Sequence, residues 1–203
     1  MEATHRDALA RELLRALVAA CPDSRTGLRG SLATGQADAY SDIDITWRVP
    51  DKEFASVVAG VADVLDKVWP VALVREDPDW QKSDQRRLVF AAFRDLPLFW
   101  RLDLDIRAEC CPDDVAPAPG EDWSPAASAL ANGVATVKAV LRAQPAVAVG
   151  LLDRAFQRVE AEDTATGQWR DDITRLAEAA ARFDPGVRVL AGQVVALAGE
   201  YLY

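Results

Sequence analysis

The stretch of sequence that decides the fold runs from Gly30 to Ile45 and reads GSLATGQADAYSDIDI. At its start, Gly30 ends a short segment, residues 26–30, which we expect to be a buried strand, and Ser31 follows it directly. The glycine and serine therefore stand where a strand gives way to a short helix. Backbone N–H groups at such a helix start, together with a small hydroxyl group, form a site for phosphate oxygens.

The other end of this stretch carries two carboxylates, Asp42 and Asp44, in a segment that alternates polar and apolar residues from 41 to 47. The alternation predicts a β-strand, and side chains two positions apart on a strand project from the same face. Two neighbouring carboxylates repel each other unless a cation lies between them. Mg²⁺ is the usual cation for such oxygen ligands, and it also bridges to substrate phosphates.

A second acidic strand is predicted between residues 98 and 106. Asp103 and Asp105 share one face of this strand, while the apolar residues at 102, 104 and 106 take the buried face. A third carboxylate from this strand would complete a site for two metal ions. Both aspartates are candidates from the residues alone.

The whole chain predicts an α/β (α+β) fold in which a mixed sheet of about five strands with flanking helices precedes a helical bundle. We expect a catalytic domain over residues 1–110, a proline-rich linker over 111–124 and a helical domain over 125–203. The predicted helices cover residues 6–20, a segment opening at 50–51, 125–142, 146–161, 165–183 and 186–201. The predicted strands cover residues 26–30, 41–47, 71–74, 87–93 and 98–106, the last two joined as a hairpin through 94–97.

Composition narrows the possible compartments and partners. No apolar run approaches the roughly 20 residues that cross a bilayer, and the first residues lack the order of a signal peptide. Three cysteines, two of them adjacent, form neither a disulfide framework nor a zinc motif, so we expect a cytoplasmic protein with reduced thiols. The net charge of −9 argues against a nucleic-acid partner and favours cations.

These motifs resemble the nucleotidyltransferase superfamily typified by DNA polymerase beta. The signature of that superfamily is Gly-Ser, a short helix, Asp-x-Asp and a distant third Asp on a strand. Spacing and intervening residues are similar to those of small bacterial aminoglycoside and lincosamide nucleotidyltransferases, in which a helical domain follows the catalytic one. The resemblance covers residues 6–109 by motif and the rest only by helical character. One departure is Thr34, where many small members carry Arg.

The resemblance implies a mechanism and a role for each candidate residue. A nucleoside triphosphate, expected to be ATP, binds with its β- and γ-phosphates at Gly30 and Ser31. Asp42 and Asp44 hold Mg²⁺, and two ions are expected if Asp103 shares the second. The Arg-hydrophobic-Asp-hydrophobic context favours Asp103 over Asp105 as third ligand.

The resemblance leaves two further roles to assign. In some antibiotic-modifying members a lysine after the linker reaches the phosphates, and Lys138 is similarly placed in this sequence. The general base for the acceptor hydroxyl is a carboxylate, with Asp103, Asp105, Glu76 and Glu109 as the open alternatives.

The acceptor is the least determined part of the hypothesis. A small molecule with a hydroxyl group, cationic if it is an aminoglycoside, suits the acidic composition, and residues 76–79 and 160–163 supply acidic stretches. Two alternatives stay open. One is a nucleotidyltransferase that modifies RNA or protein, and the other is a non-enzymatic antitoxin-like or dimerisation protein with the same fold, so a homodimer is also considered.

Overall fold

The structure is a computed structural model that describes residues 3–202. The chain forms two compact units, Met1–Trp123 and Ser124–Tyr203. The outermost positions of the predicted domains, residues 1, 2 and 203, lie outside the described residues. None of the helices in the described part of the chain combines the length and the apolar composition that crossing a bilayer requires.

The first unit contains a five-stranded sheet and three helices. Its strands are β1 (Arg25–Leu28), β2 (Ile43–Val49), β3 (Val71–Glu76), β4 (Arg86–Phe93) and β5 (Leu102–Ala108), and its helices are α1 (Ala3–Ala20), α2 (Gly30–Thr34) and α3 (Phe54–Val68). The strand order is β1-β2-β5-β4-β3. Strands β2 and β5 are parallel, whereas the other neighbours are antiparallel. The sheet is therefore mixed, which confirms the predicted fold class.

The prediction of one strand over residues 98–106 is wrong in its first part. Leu98–Trp100 forms a single 3-10 turn instead, and β5 begins only at Leu102. The turn follows Pro97, whose carbonyl oxygen accepts a hydrogen bond from the Trp100 N–H at 2.9 Å. Phe99 and Trp100 are buried, so the apolar character that suggested a strand reflects burial of the turn.

The sheet has one apolar face and one polar face. Alternate residues of β2 and β5 are fully buried and pack with apolar residues of α1 and α3 in one core; they are Ile43, Ile45, Trp47, Val49, Leu102, Leu104 and Ile106. The intervening residues project from the opposite face because successive side chains alternate on a strand. Asp44, Asp103 and Asp105 therefore lie on the polar face.

The second unit is helical throughout, as predicted. It contains α4 (Pro125–Leu141), α5 (Pro145–Arg158), α6 (Trp169–Phe183) and α7 (Arg188–Tyr201). The predicted start of the third of these helices at residue 165 is wrong by four residues. Thr166 and Gly167 instead donate their backbone N–H groups to the Asp172 carboxylate, and Gly167 has φ +85°, which ends any helical path there.

Candidate functional site

Gly30 lies directly against the Asp44 carboxylate. The β1 strand runs antiparallel to β2, and just beyond its end the Arg29 N–H donates to the Asp44 carbonyl oxygen at 2.9 Å. Gly30 follows with φ +56°, and a Cβ atom added to it would lie 2.5 Å from Asp44 Oδ2. Only a residue without a side chain permits this approach. The two ends of the motif, 14 residues apart in sequence, are thus in contact in the fold.

Ser31 belongs to the first turn of α2 and is partly exposed. The helix ends at Gly35, which has φ +70°, and the Thr34 hydroxyl donates to the carbonyl oxygens of Gly30 and Ser31 at 3.3 Å. Thr34 therefore closes the short helix on itself.

Asp44 and Asp103 are neighbours on the polar face. They are register partners in the parallel strands β2 and β5, so their backbones lie about 4.8 Å apart. Asp42 immediately precedes β2. The loop that leads into it is held by Arg6 of α1, a fully buried side chain whose guanidinium donates to the carbonyl oxygens of Asp38 and Ser41. Arg6 positions this loop, and its place in an ordinary helical pattern contains no signal of that role.

Arg101 is the cation that these carboxylates share. Its guanidinium donates two hydrogen bonds to Asp103, at 2.6 Å and 2.7 Å, and its Nη2 atom lies 3.9 Å from Asp42 Oδ2. It also stacks over the Phe90 ring, 5.0 Å from the centroid. Burial by itself lowers the pKa of Arg101, but Asp103, followed by Asp42 and Asp44, outweighs burial and raises that pKa above its ordinary value.

The donor set at this position fits a hard divalent cation in ligand type. Three carboxylates surround one positive charge, and oxygen ligands of this kind are those that Mg²⁺ prefers. The arrangement is that of an arginine-bound site, however, because Asp103 is turned towards Arg101. Across residues 3–202, no group of three or more His, Cys, Asp or Glu side chains is arranged to hold a metal ion.

Asp105 occupies different surroundings from the other candidates. It is 1% exposed, and it accepts hydrogen bonds from Arg86 at 2.9 Å, Arg107 at 3.0 Å and Arg29 at 3.3 Å. The structure thus groups Asp105 with three arginines, whereas Asp103 adjoins Asp44. Arg29, the third arginine that donates to Asp105, directly precedes Gly30 in the sequence.

The remaining candidates are spread over both units. Glu76 pairs with Arg87 at 3.5 Å, and Glu109 pairs with Arg25 at 3.2 Å. Lys138 lies on α4 of the second unit with a side chain that is largely buried. Its contact with phosphates stays a prediction.

Sequence reasoning missed Arg48 and Arg107 of the polar face. Their only sequence signal was their position at alternate sites of β2 and β5, on the side that the acidic residues share. Arg86 is further held by the Trp80 ring, 4.0 Å from its guanidinium carbon to the ring centroid.

Comparisons with known proteins add little to this geometry. No family model matches the chain, and no curated protein matches it. Among solved structures, the chain is similar to one described as a "putative nucleotidyltransferase from H. pylori", at 11% sequence identity over 99% of this chain and 98% of that chain, with a TM-score of 0.32. A likeness at this identity and TM-score does not assign a function to this chain, so the functional proposal rests on the residues of the site.

Proposed function

We propose that this protein is a Mg²⁺-dependent nucleotidyltransferase of the polymerase beta-like superfamily. It moves a nucleoside monophosphate, AMP if the donor is ATP, to a hydroxyl group of a small molecule and releases pyrophosphate. The observation that carries the proposal is the contact between Gly30 and the Asp44 carboxylate, with Asp103 beside Asp44 on the next strand. This proximity supports the proposal that Gly30 and the two carboxylates act together.

Each residue of the site has a task in this proposal. Gly30 and Ser31 bind the outer phosphates, Ser31 through its hydroxyl group, while Asp42 and Asp44 hold Mg²⁺. The metal, when bound, neutralises the charge that develops on the phosphate oxygens during transfer. Asp103 adjoins Asp44 and is the base that we propose for the acceptor hydroxyl. Asp105 is not proposed for this role, because it is buried and accepts hydrogen bonds from three arginines.

Arg101 supports the role that we propose for Asp103, because it is a cation that binds this carboxylate directly. Two hydrogen bonds from Arg101 orient the Asp103 carboxylate on the polar face. Arg101 is therefore proposed as a positioning residue for Asp103.

The acceptor that we propose is a small molecule with a hydroxyl group. An aminoglycoside or lincosamide antibiotic is the acceptor that the sequence resemblance suggests, and the net charge of −9 favours a cationic molecule. A pyrophosphate-release assay with each of the four nucleoside triphosphates, against panels of antibiotics, phosphorylated small molecules and RNA, tests donor and acceptor together.

A binding measurement tests the donor site without an acceptor. We expect calorimetry to detect ATP binding that requires Mg²⁺, and we expect Asp44→Asn to abolish it. Binding of ATP with the same affinity in EDTA would overturn the proposal. Mg²⁺-dependent binding without pyrophosphate release from any acceptor would favour a non-enzymatic, antitoxin-like role instead.

A further inference from the structure

Four arginines lie in one row across the polar face of the sheet. Arg25 of β1 is the register partner of Arg48 of β2, which is the partner of Arg107 of β5, which is the partner of Arg86 of β4. We call these four residues the arginine row. Like charges opposite each other on neighbouring strands, about 4.8 Å apart, destabilise a sheet. Such a row therefore needs anionic partners.

The carboxylates of the protein satisfy this need only in part. In the ion pairs that the described residues form, Arg25 pairs with Glu109, and Arg86 and Arg107 pair with Asp105, which also takes Arg29. Asp113 pairs with Arg48 and Arg107. In these ion pairs, five arginines share three carboxylates.

Asp113 shows how an oxyanion fits the row. A single carboxylate oxygen, Oδ1, lies 3.3 Å from Arg48 Nη2 and 3.3 Å from Arg107 Nη1. The Asp113 side chain is 93% exposed, and that of Arg48 is 37% exposed. An ion pair this open to water contributes little stability, so a competing anion displaces Asp113 at small cost. One oxygen between two guanidinium groups is the geometry in which arginines bind phosphate.

The other end of the same face carries the candidate carboxylates. There Arg101 pairs with Asp103 and lies 3.9 Å from Asp42, and Asp44 adjoins Asp103 on the next strand. Asp103 and Arg107 are four residues apart on β5, or about 13 Å along the strand. A ligand with one end at Asp103 would extend over about this distance to reach Arg107.

We infer that the arginine row binds a phosphate group on the small molecule that accepts the nucleotide, with Arg48 and Arg107 as the direct ligands and Asp113 as the group it displaces. The inference rests on the proposed function, which supplies the acceptor. It assigns a phosphorylated small molecule as that acceptor in place of a cationic antibiotic. RNA also offers phosphates, but the net charge of −9 opposes a polyanion far more than a single phosphate group.

The test is a phosphate titration of the full chain in EDTA without nucleotide, in which nitrogen-15 NMR signals of the arginine Nε–H groups are recorded at each phosphate concentration. We expect inorganic phosphate to shift the Arg48 and Arg107 signals. Arg48→Gln should weaken phosphate binding about tenfold, because a charge-assisted hydrogen bond is lost. Asp113→Asn should strengthen it about threefold, because the competing carboxylate is gone.

Arg15→Gln is the matched control, because Arg15 is exposed on α1, which packs on the opposite face of the sheet, and its loss changes net charge equally. Its phosphate affinity should equal that of the unmodified protein. Equal weakening by Arg15→Gln and Arg48→Gln, or an unchanged affinity in Asp113→Asn, would overturn the inference. Melting curves check that each variant is folded, and Asp113→Asn tests the row even if Arg48→Gln is not.

Two further ligands identify the source of the phosphate. Ribose 5-phosphate should bind as phosphate does and ribose should not, whereas a single-stranded RNA that binds much more tightly would overturn the assignment to a small molecule. The outcome is independent of the proposed reaction. Phosphate binding at the row without nucleotide transfer would refute the proposed function and leave only a phosphate site at the row, whereas transfer without phosphate binding would refute this inference alone.

Discussion

At the residue scale, the candidate site depends on a backbone position that tolerates no side chain. Gly30 combines a left-handed backbone, φ +56°, with an approach to Asp44 that a Cβ would obstruct at 2.5 Å. Gly35, at the other end of the same short helix, has φ +70° but no atom within 4 Å of the added Cβ. The two glycines therefore separate backbone strain from contact with the carboxylate.

We predict that Gly35→Ala lowers the free energy of unfolding by about 1 kcal/mol through backbone strain alone. Gly30→Ala should cost more, because Asp44 or the backbone must also move. Only Gly30→Ala should weaken Mg²⁺-dependent ATP binding. Urea denaturation and calorimetry measure the two effects. Equal losses of both properties in the two variants would show that Asp44 is not confined by Gly30.

Replacement of Asp44 by Asn tests the carboxylate itself. Turnover should fall about a thousandfold or more, because a metal ligand of the transferred phosphate is lost. Stability without metal should change little, because the loss of the Asp44 charge relieves repulsion with Asp103 and also removes attraction to Arg101. Asp63→Asn, at an exposed position of α3, is the control and should change neither property. A lower melting temperature for Asp44→Asn, with nucleotide binding intact, would assign the carboxylate a structural role.

At the element scale, one buried carboxylate sets where α6 begins. Asp172 accepts hydrogen bonds from the Thr166 N–H, the Thr166 hydroxyl, the Gly167 N–H and Arg175, at 2.7 to 3.0 Å. Burial, the largest single effect, raises the pKa of Asp172, but the hydrogen bonds from Thr166, Arg175 and Gly167 together outweigh it and lower that pKa below its ordinary value. The ionised carboxylate thus stabilises both the loop and the helix start.

We predict that Asp172→Asn destabilises the protein by about 2 to 3 kcal/mol at pH 7. Since the folded pKa of Asp172 is lowered, its contribution is present above the unfolded pKa of about 3.9 and is lost as the pH falls through the folded value. The difference from the unmodified protein should therefore shrink below about pH 4. Urea denaturation at pH 7, 5 and 3 measures it, with the exposed neighbour in Asp171→Asn as control. A difference that is independent of pH would contradict the assignment.

At the scale of the whole molecule, the three cysteines differ in burial, so their reactivity measures how well the first unit excludes solvent. Cys21 and Cys111 are buried, and Cys110 is exposed. Hydrogen bonding to the Asp51 carboxylate raises the pKa of Cys110, and burial raises the pKa of the other two. A raised pKa leaves less thiolate at neutral pH, and the thiolate is the reactive form.

We predict that Ellman's reagent modifies one thiol of the native protein, slowly at pH 7, and all three after unfolding. Cys110→Ser should remove the native reaction. Asp51→Asn should accelerate it severalfold, because the carboxylate that raises the thiol pKa is gone. Rapid reaction of two or three thiols in the native protein would mean that the region around Cys21 or Cys111 opens readily.

The sequence determined those features that depend on local periodicity. The alternation around Asp42 and Asp44 placed both on the polar side of a strand entry, and the alternation around Asp103 placed Leu102 and Leu104 in the core. These predictions succeed because a strand has the same two faces whatever its neighbours are. The mixed sheet and the helical second unit followed from the order of such segments.

Only the tertiary structure decided which charges meet. Strand register puts Asp44 beside Asp103, and it puts Arg107 between Arg48 and Arg86, although nothing in each strand's own sequence specifies its partner. Asp103 and Asp105 are equivalent by sequence position, yet one is bound by Arg101 and the other by three arginines. Register is set by packing of the apolar face against α1 and α3, and the polar face takes whatever neighbours that packing brings together.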